Sequence, residues 1–422
     1  MPTTSACRVA CDSLVALGNA TRDGNVLFAK NSDRPAFECQ PLVQIAAQQF
    51  GSDAVLRCTY IEISQARQTA RLIGSQPYWC WGFEHGLNEH GVAIGNHTVF
   101  TKDGLAGLGL IGMDIVRLGL ERGHTATQAL EEMTRLIETY GQGGSGYADK
   151  DWPYHNSFII ADRSRAYLLE TSDKHWAVRE ITDLGSASNH LTIGNDWTAL
   201  SDGIIEHAVE SGWWSAEADA RFDFAAAYRD TSVAPDVISS GRHQRTCSLL
   251  EQQRRSISVD SLKQALRDHY GLAAPGAGRT PMDAEYFSVC MHAEPVGTTT
   301  ASMIALLPSD GVPIYFASLG SPCVGAFVPL FIDAEVPPIL ARRSAEPSED
   351  SPWWQLKGLV TAVERDWSAN LPVVRVEMDR FEKDVSAEAL TLAGESAAIK
   401  TRFMSQATDE LVELAGRLRA AL

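Results

Sequence analysis

A cysteine and two charged residues sit where thiol chemistry could be assembled from a short stretch of chain. Ala10-Cys11-Asp12-Ser13-Leu14-Val15-Ala16-Leu17 puts a thiol behind a small residue at the start of an apolar run. Val26-Leu27-Phe28-Ala29-Lys30-Asn31-Ser32-Asp33-Arg34-Pro35 is a second apolar run that ends in charge. If the chain is cut after Ala10, Cys11 gains both a thiol nucleophile and a free α-amine to serve as its base. The ordinary pKa values are about 8.5 for the thiol and roughly 7.7–8.0 for the amine. A cation such as Lys30 favours the thiolate, and Asp33 is placed to orient the ammonium that forms. Taken alone, a cysteine opening a strand is more often a small buried hydrophobe. The case therefore rests on the elements that would bring these groups together.

The alternation of Leu14 and Ala16, and of Val26 and Phe28, predicts two strands, and Asp23-Gly24 between them is a hairpin signal. With those two residues as the turn, paired positions sum to 47. Asp33 then stands opposite Leu14, roughly 10 Å along the strand from Cys11. Lys30 and Asp33 finish at the thiol end of the hairpin.

The chain has 422 residues, 45% of them hydrophobic, with 10 tryptophans. That is enough for a large core in one or two domains. A net charge of −17 argues against nucleic-acid partners, because a polyanion would be repelled. No apolar run approaches the ~20 residues of a membrane span, so no membrane partner is expected. Met1–Ala10 lacks the apolar centre of a secretory signal. Eight cysteines spread over this length do not suggest a disulfide framework, and no metal-ligand spacing stands out. The expected compartment is reducing and cytoplasmic, with no metal and no cofactor.

Strands are expected through residues 11–100, including Leu56–Ile63 and Gly91–Asn96, with Gly86–His90 read as a turn. Helices are predicted at Gly112–Arg122 and from Thr125 to Tyr140, the second with a Thr125/Gln128 capping box and a Gly141 stop. A meander at Ser157–Ala161, Ala166–Glu170 and His175–Ile181 follows. Mainly helical residues 200–270 come next, then strands at Ala301–Leu307 and Pro313–Ser318. Strands and helices in blocks predict an α+β fold with separate layers. Ala345–Ser351 reads as a linker and Trp353–Leu422 as a helical appendage packed on the body.

These segments together resemble the secernins and, more broadly, the cysteine dipeptidase family. The likeness runs through the two stretches above and through Cys58–Ile63, Asn88–Asn96 and Gly112–Arg122. It continues through Tyr140–Gly144, Tyr154–Arg163, Phe222–Tyr228 and Thr299–Met303. It covers roughly residues 11–330, and no single short motif carries it. It implies an N-terminal-nucleophile (Ntn) hydrolase with a four-layer αββα sandwich of two antiparallel sheets. The division expected is residues 1–10 as a propeptide, 11–340 as the hydrolase domain, and 341–422 as linker and C-terminal helices. It implies cleavage of a peptide or amide C–N bond through a thioester.

In more distant relatives of that kind, bile-salt hydrolases and penicillin V acylases, the nucleophile is an N-terminal cysteine accompanied by an arginine and an aspartate. Lys30 and Asp33 match these, with lysine keeping the charge and losing the fork geometry. The resemblance further implies Asn189 as an oxyanion donor, with Asn96 a second candidate on the substrate side beside Lys30. It also implies a late arginine, for which Arg242 fits better than Arg245. His90, His155 and His292 have no spacing that ties them to Cys11. The glycine-rich run Gly141–Gly146 lacks the following Lys-Ser or Lys-Thr of a phosphate loop, and reads as a helix stop near the site entrance. The expected partner is a small peptide or amide substrate, and many relatives self-associate, so a homo-oligomer is also expected. Two rivals share the fold: an acylase acting on a non-peptide amide, and a catalytically silent binding protein.

Overall fold

Val26–Arg34 (β2) is buried along its whole length although its second half is polar, and the architecture is organised around that strand. The structure is a computed structural model and describes residues 10–105, 107–215, 220–232, 236–280, 283–294 and 296–422. Of the expected propeptide, residues 1–9 lie outside the described residues.

β2 pairs on one side with Ala10–Ala16 (β1) and on the other with Gly297–Leu307. The seven-stranded sheet runs Leu184–Ala187, β1, β2, Gly297–Leu307, Ile314–Leu319, Val328–Phe331, with His292–Ala293 added beside Gly297–Leu307. An eight-stranded sheet runs Ala199–Leu200, His175–Ile181, Ala166–Ser172, His155–Ala161, Ala93–Val99, His85–Asn88, Leu72–Ser75, Leu42–Ile45. The ladders within both sheets are antiparallel. The sheets stack face to face, and buried polar pairs cross between them: His97 Nε2 to Ser13 Oγ at 2.7 Å, and Tyr315 Oη to His85 Nδ1 at 2.9 Å.

Gly112–Arg122 (α1) and Ala126–Tyr140 (α2) cover the outer face of the eight-stranded sheet. Ile115, Leu118, Met133 and Ile137 pack there on Ile94, Phe158 and Ile160. Asp236–Gln252, Val259–Leu266 and the C-terminal helices cover the outer face of the seven-stranded sheet. This is the four-layer αββα sandwich of the α+β class.

Local signals placed several elements well. α1 has the expected bounds. Thr125 caps α2 by accepting from the Gln128 amide, and Gly141 ends it at φ 70°. The capping box is only half made, because Gln128 Oε1 accepts from His124 N instead of Thr125 N. Two readings need correction. Leu56–Ile63 is not one strand: Val55–Arg57 and Glu62–Ser64 form a small hairpin, and Cys58–Ile61 is its bend, closed by Cys58 N donating to Ile61 O. His85–Asn88 is a strand, and the turn that follows is confined to Glu89–Gly91.

The register of the first hairpin also differs. Cys11 pairs with Ser32 and Ala10 with Asp33, so paired positions sum to 43 instead of 47. The connection is the longer segment 17–25, held by Leu17 N to Asp183 O and by Thr21 Oγ1 to Asn25 O. Asp23-Gly24 closes that loop and is not the whole turn. In this register Asp33 stands level with Ala10, beside the Ala10–Cys11 bond.

The C-terminal helices belong to the same core as the sheets. Trp353, Met378, Phe403 and Met404 share one apolar cluster with Phe28 and Ile304. The Trp353 indole is 1% exposed and donates to Thr300 O at 2.8 Å.

Candidate active site

Period-two alternation sorts the polar end of β2 between two layers. Lys30 and Arg34 face the second sheet and meet Glu84, at 3.6 Å and 3.7 Å. Asn31 and Asp33 face the helices, where Asn31 Nδ2 donates to Leu266 O and Val289 O and Asp33 meets Arg242. Cys11 shares its face with Ser32, its ladder partner, and Asp12 shares the helix-side face with Asn31. The thiol therefore looks between the sheets, while Asp12 looks at Arg242.

Cys11 and Asn189 meet because of a second register. β1 pairs with Leu184–Ala187 through Ser13↔Ala187. Carried two residues further, that register puts Asn189 across from Cys11, just beyond the end of the strand. There the ladder gives way to a side chain: Cys11 N donates to Asn189 Oδ1 at 2.7 Å. The same oxygen accepts from Arg242 Nη2 at 2.7 Å, and Asn189 Nδ2 donates to Thr98 O at 3.0 Å. These contacts fix the amide orientation: Oδ1 faces the Cys11 nitrogen, and Nδ2 spends one of its two N–H donors on Thr98 O.

Arg242 lies fully buried on the helix Asp236–Gln252. It donates through Nη1 to Asp12 Oδ2 at 2.5 Å, with the same nitrogen 3.7 Å from Asp33 Oδ2. Arg245 is paired instead with Asp268 and partly exposed. Asp33 Oδ1 accepts from Thr299 Oγ1 at 2.6 Å, and its Oδ2 has no hydrogen-bond partner among the described residues.

Burial pushes the Cys11 thiol up to about 11; Lys30 pulls it down, and Glu84 and Asp33 push it further up. Burial also pushes the Asp33 carboxyl up to about 7, with Arg242 opposing, Asp12 reinforcing, and the Thr299 hydroxyl opposing. The thiol is therefore protonated at neutral pH. Asp33 holds an unmatched oxygen across the ladder from Ala10.

Lys30 is packed tightly: a Cβ added at Gly95 would lie 2.4 Å from its Cδ, so that neighbour must be glycine for the lysine stem to pass. Asn96, with its amide nitrogen turned toward Glu84, donates to Glu84 Oε2 and to Glu84 O, both at 2.9 Å. It thus supports the carboxylate that pairs with Lys30.

The glycine-rich run closes over this end. Arg34 Nη2 donates to Gly146 O at 2.5 Å, Nη1 to Tyr154 Oη at 3.3 Å, and the guanidinium lies 4.6 Å from the Tyr147 ring centre. A cleft of about 540 Å³ lined by Thr21, Asn25, Lys263 and Glu382 sits at the opposite, loop end of the hairpin. It contains none of these groups.

Cys11, Asp33, Asn189 and Arg242 are thus one connected cluster; Lys30 and Asn96 meet each other at Glu84, and Lys30 and Glu84 act on the Cys11 thiol through their charges. Of the three histidines, His155 is buried and bonded to Thr101 Oγ1. His90 stacks on His124, and His292 lies beside Cys290 and Cys323. Sequence reasoning missed Asp12, Glu84 and Thr299, the partners that let the buried charges persist. Asp12 left one sign, a carboxylate inside an apolar strand.

No protein-family model matches the chain. Among solved structures it is similar to a variant of conjugated bile acid hydrolase from Clostridium perfringens, at 14% identity over 79% of this chain and 95% of that one, TM-score 0.46. It is similar to penicillin V acylase from Agrobacterium tumefaciens, at 12% identity over 76% and 86%, TM-score 0.41. It is also similar to the Caenorhabditis elegans N-acylethanolamine-hydrolyzing acid amidase ortholog, at 9% identity over 70% and 92%, TM-score 0.35.

Proposed function

We propose that the protein is a secernin-like cysteine hydrolase of amide or peptide C–N bonds that becomes active when the Ala10–Cys11 bond is cut. The observation that carries this reading is the 2.7 Å contact from the Cys11 backbone nitrogen to Asn189 Oδ1, with Arg242 bonded to the same oxygen. A buried peptide N–H needs an acceptor in any protein; here that acceptor is a side chain anchored by a buried arginine, placed where a terminal amine acting as a base would sit.

Hydrolysis of the Ala10–Cys11 bond turns an amide that cannot take a proton into an amine that can. The amine accepts the thiol proton, and the resulting ammonium faces Asn189 Oδ1 and the carboxylate of Asp33. The thiolate attacks the substrate carbonyl, forming a C–S bond and an oxyanion. The Lys30 charge offsets the negative charge as it moves from sulfur to oxygen. Collapse breaks the C–N bond, and the ammonium passes its proton to the leaving amine. Water then adds to the thioester, the C–S bond breaks, and the acid departs with the thiol restored. In this assignment Asn189 Oδ1 holds the amine, a task added to the oxyanion role expected of its Nδ2 by analogy. No step calls on a cofactor.

Intact mass and iodoacetamide labelling test the reading. The expected product starts at Cys11 and is alkylated there, while uncut protein resists alkylation at pH 7 because its thiol titrates at about 11. Dipeptides and acylated amines are then compared as substrates. Cleavage of dipeptides supports the dipeptidase reading, and cleavage of acylated amines alone supports an acylase. A chain that starts at Met1 or Pro2, resists labelling and cleaves neither overturns the proposal.

Thr299→Val gives a pH-dependent prediction. The hydroxyl lowers the Asp33 carboxyl, and Asp33 must be ionised to face the ammonium. A hydrogen bond to a charged group is worth about 1.5–3 kcal/mol, so losing it moves the acid limb of kcat/KM upward by roughly one pH unit or more. Thr299→Ser keeps the hydroxyl and is expected to keep the wild-type limb. An unchanged limb in the valine protein would show that Asp33 does not govern activity.

A further inference from the structure

Away from the nucleophile, four side chains of metal-binding type meet in one place. His269 follows the helix Val259–Leu266, Cys290 and His292 flank Met291 at the short strand His292–Ala293, and Cys323 lies in the turn after Ile314–Leu319. One donor atom from each lies within 4.8 Å of all the others. His292 Nε2 is 3.2 Å from Cys323 Sγ and 3.7 Å from Cys290 Sγ. We propose that His269, Cys290, His292 and Cys323 form a structural zinc site of the Cys2His2 type.

Three observations carry this beyond a chance cluster. The first is ligand number and type. Two sulfurs and two imidazoles are a complete tetrahedral set, which leaves no position open for substrate. Zn–S near 2.3 Å and Zn–N near 2.0–2.1 Å put the donors of such a site roughly 3.3–3.8 Å apart. The separations of 3.2 Å and 3.7 Å already lie near that range, and none exceeds it by more than about 1 Å.

The second is the support around the ligands. Glu364 Oε1 is 3.0 Å from His292 Nδ1, the outer carboxylate that fixes a ligating histidine's tautomer and leaves Nε2 for the metal. The Trp367 ring stands edge-on to His269 and His292, with ring centres 5.7 Å and 5.1 Å away.

The third is that the cluster is otherwise incompletely satisfied. His269 Nε2 is buried with no hydrogen-bond partner among the described residues. The four cysteine and histidine side chains come from three separated parts of the chain and are not joined by a disulfide.

The site's position gives it work to do. Glu364 ends the helix Pro352–Glu364 and Trp367 begins the next, so a metal here ties the C-terminal helices to the seven-stranded sheet. Met291, between two ligands, takes a hydrogen bond from Thr299 N and gives one to Thr299 Oγ1, and Thr299 in turn holds Asp33. Binding converts two thiols to thiolates: two S–H bonds break, two Zn–S bonds form, and two protons go to solvent.

The full-length protein grown with zinc is expected to retain about one zinc per chain by elemental analysis. Cobalt(II) added to metal-free protein is expected to give intense tetrahedral d–d bands and thiolate charge-transfer absorption. Glu364→Gln keeps all four ligands, and is expected to weaken cobalt and zinc affinity roughly 10–100-fold while the bands keep their shape. Cys290→Ser with Cys323→Ser removes the charge-transfer band. Zinc at background with all thiols free to react overturns the proposal. So does a mass two hydrogens lighter, with Cys290 and Cys323 disulfide-linked. Octahedral cobalt spectra overturn it as well.

Discussion

Cys11→Ala protein is expected to fold, to keep residues 1–10 attached, and to lose hydrolysis by on the order of 10⁴-fold or more, the usual result of removing a nucleophile. Two consequences fall together because we assign both reactions to one sulfur: it attacks the Ala10 carbonyl, giving a thioester that water hydrolyses as Cys11 gains its amine, and it attacks the substrate carbonyl afterwards. The structural cost is small. The side chain is buried but short, and the substitution removes only the sulfur, so the change is about 1 kcal/mol and a melting shift of a couple of degrees. Cys58→Ala is the matched control. That thiol is also buried and pushed up to about 12 by its surroundings, but it packs under α1 and α2, far from the cluster around Arg242. It is expected to leave turnover unchanged. Intact mass reads maturation, amine release reads turnover, and thermal unfolding reads the fold. Hydrolysis surviving in Cys11→Ala would remove the central claim about this sulfur while leaving the sandwich untouched.

What could be read from the sequence divides along the range of the forces involved. α1 and α2 were legible because an apolar repeat, a threonine cap and a glycine stop act within a few residues. The meander His155–Ala161, Ala166–Ser172, His175–Ile181 was legible because its turns are short and polar. The first hairpin was half legible: both strands were found, but Asp23-Gly24 suggested a two-residue turn where Thr21 and Leu17 build a longer loop from contacts with Asn25 and Asp183.

The site divides in the same way. Cys11 and Asp33 were visible in the hairpin. Asn189 and Arg242 came only from the family resemblance, since nothing local marks a turn asparagine or a helix arginine as belonging to a residue some 180 or 230 positions earlier. The residues that pair with or hydrogen-bond the buried charges, Asp12, Glu84 and Thr299, were not legible because their task exists only once the layers have closed. The group around Cys290 and His292 was not legible, because His269 and Cys323 join them only where the helices and sheet edge meet. The C-terminal helices read as an appendage because their apolar faces do not reveal what they cover. Trp353 bonded to Thr300 makes them part of the layer over the sheet that holds Cys11.

Arg242→Met is expected to be the most destabilising single change at the site. The guanidinium lies wholly out of water, bonded to Asp12 and Asn189 and close to Asp33. Burial works against its charge, yet Asp12 and Asp33 more than offset that and raise its affinity for the proton. Methionine of similar length removes the cation and leaves two carboxyls buried near each other, a loss on the order of 3–5 kcal/mol. The pH dependence identifies the cause. With Arg242 gone, the carboxyl of Asp33, already at about 7, is driven higher, and Asp12 loses its partner. A carboxyl whose folded pKa exceeds its unfolded value, near 3.9, favours the folded state while protonated and loses that contribution as pH rises through the folded pKa. The variant's deficit against wild type should therefore be modest near pH 5 and grow toward pH 8. Arg242→Lys separates charge from geometry. One ammonium offsets the carboxylates but cannot hold Asp12 and Asn189 Oδ1 together as a planar fork does. It is expected to recover most of the stability while turnover stays at least tenfold low. Equal stability deficits for Arg242→Met at pH 5 and pH 8 would mean that the arginine acts through packing alone, and full turnover in Arg242→Lys would mean that Asn189 needs no second anchor to hold the amine.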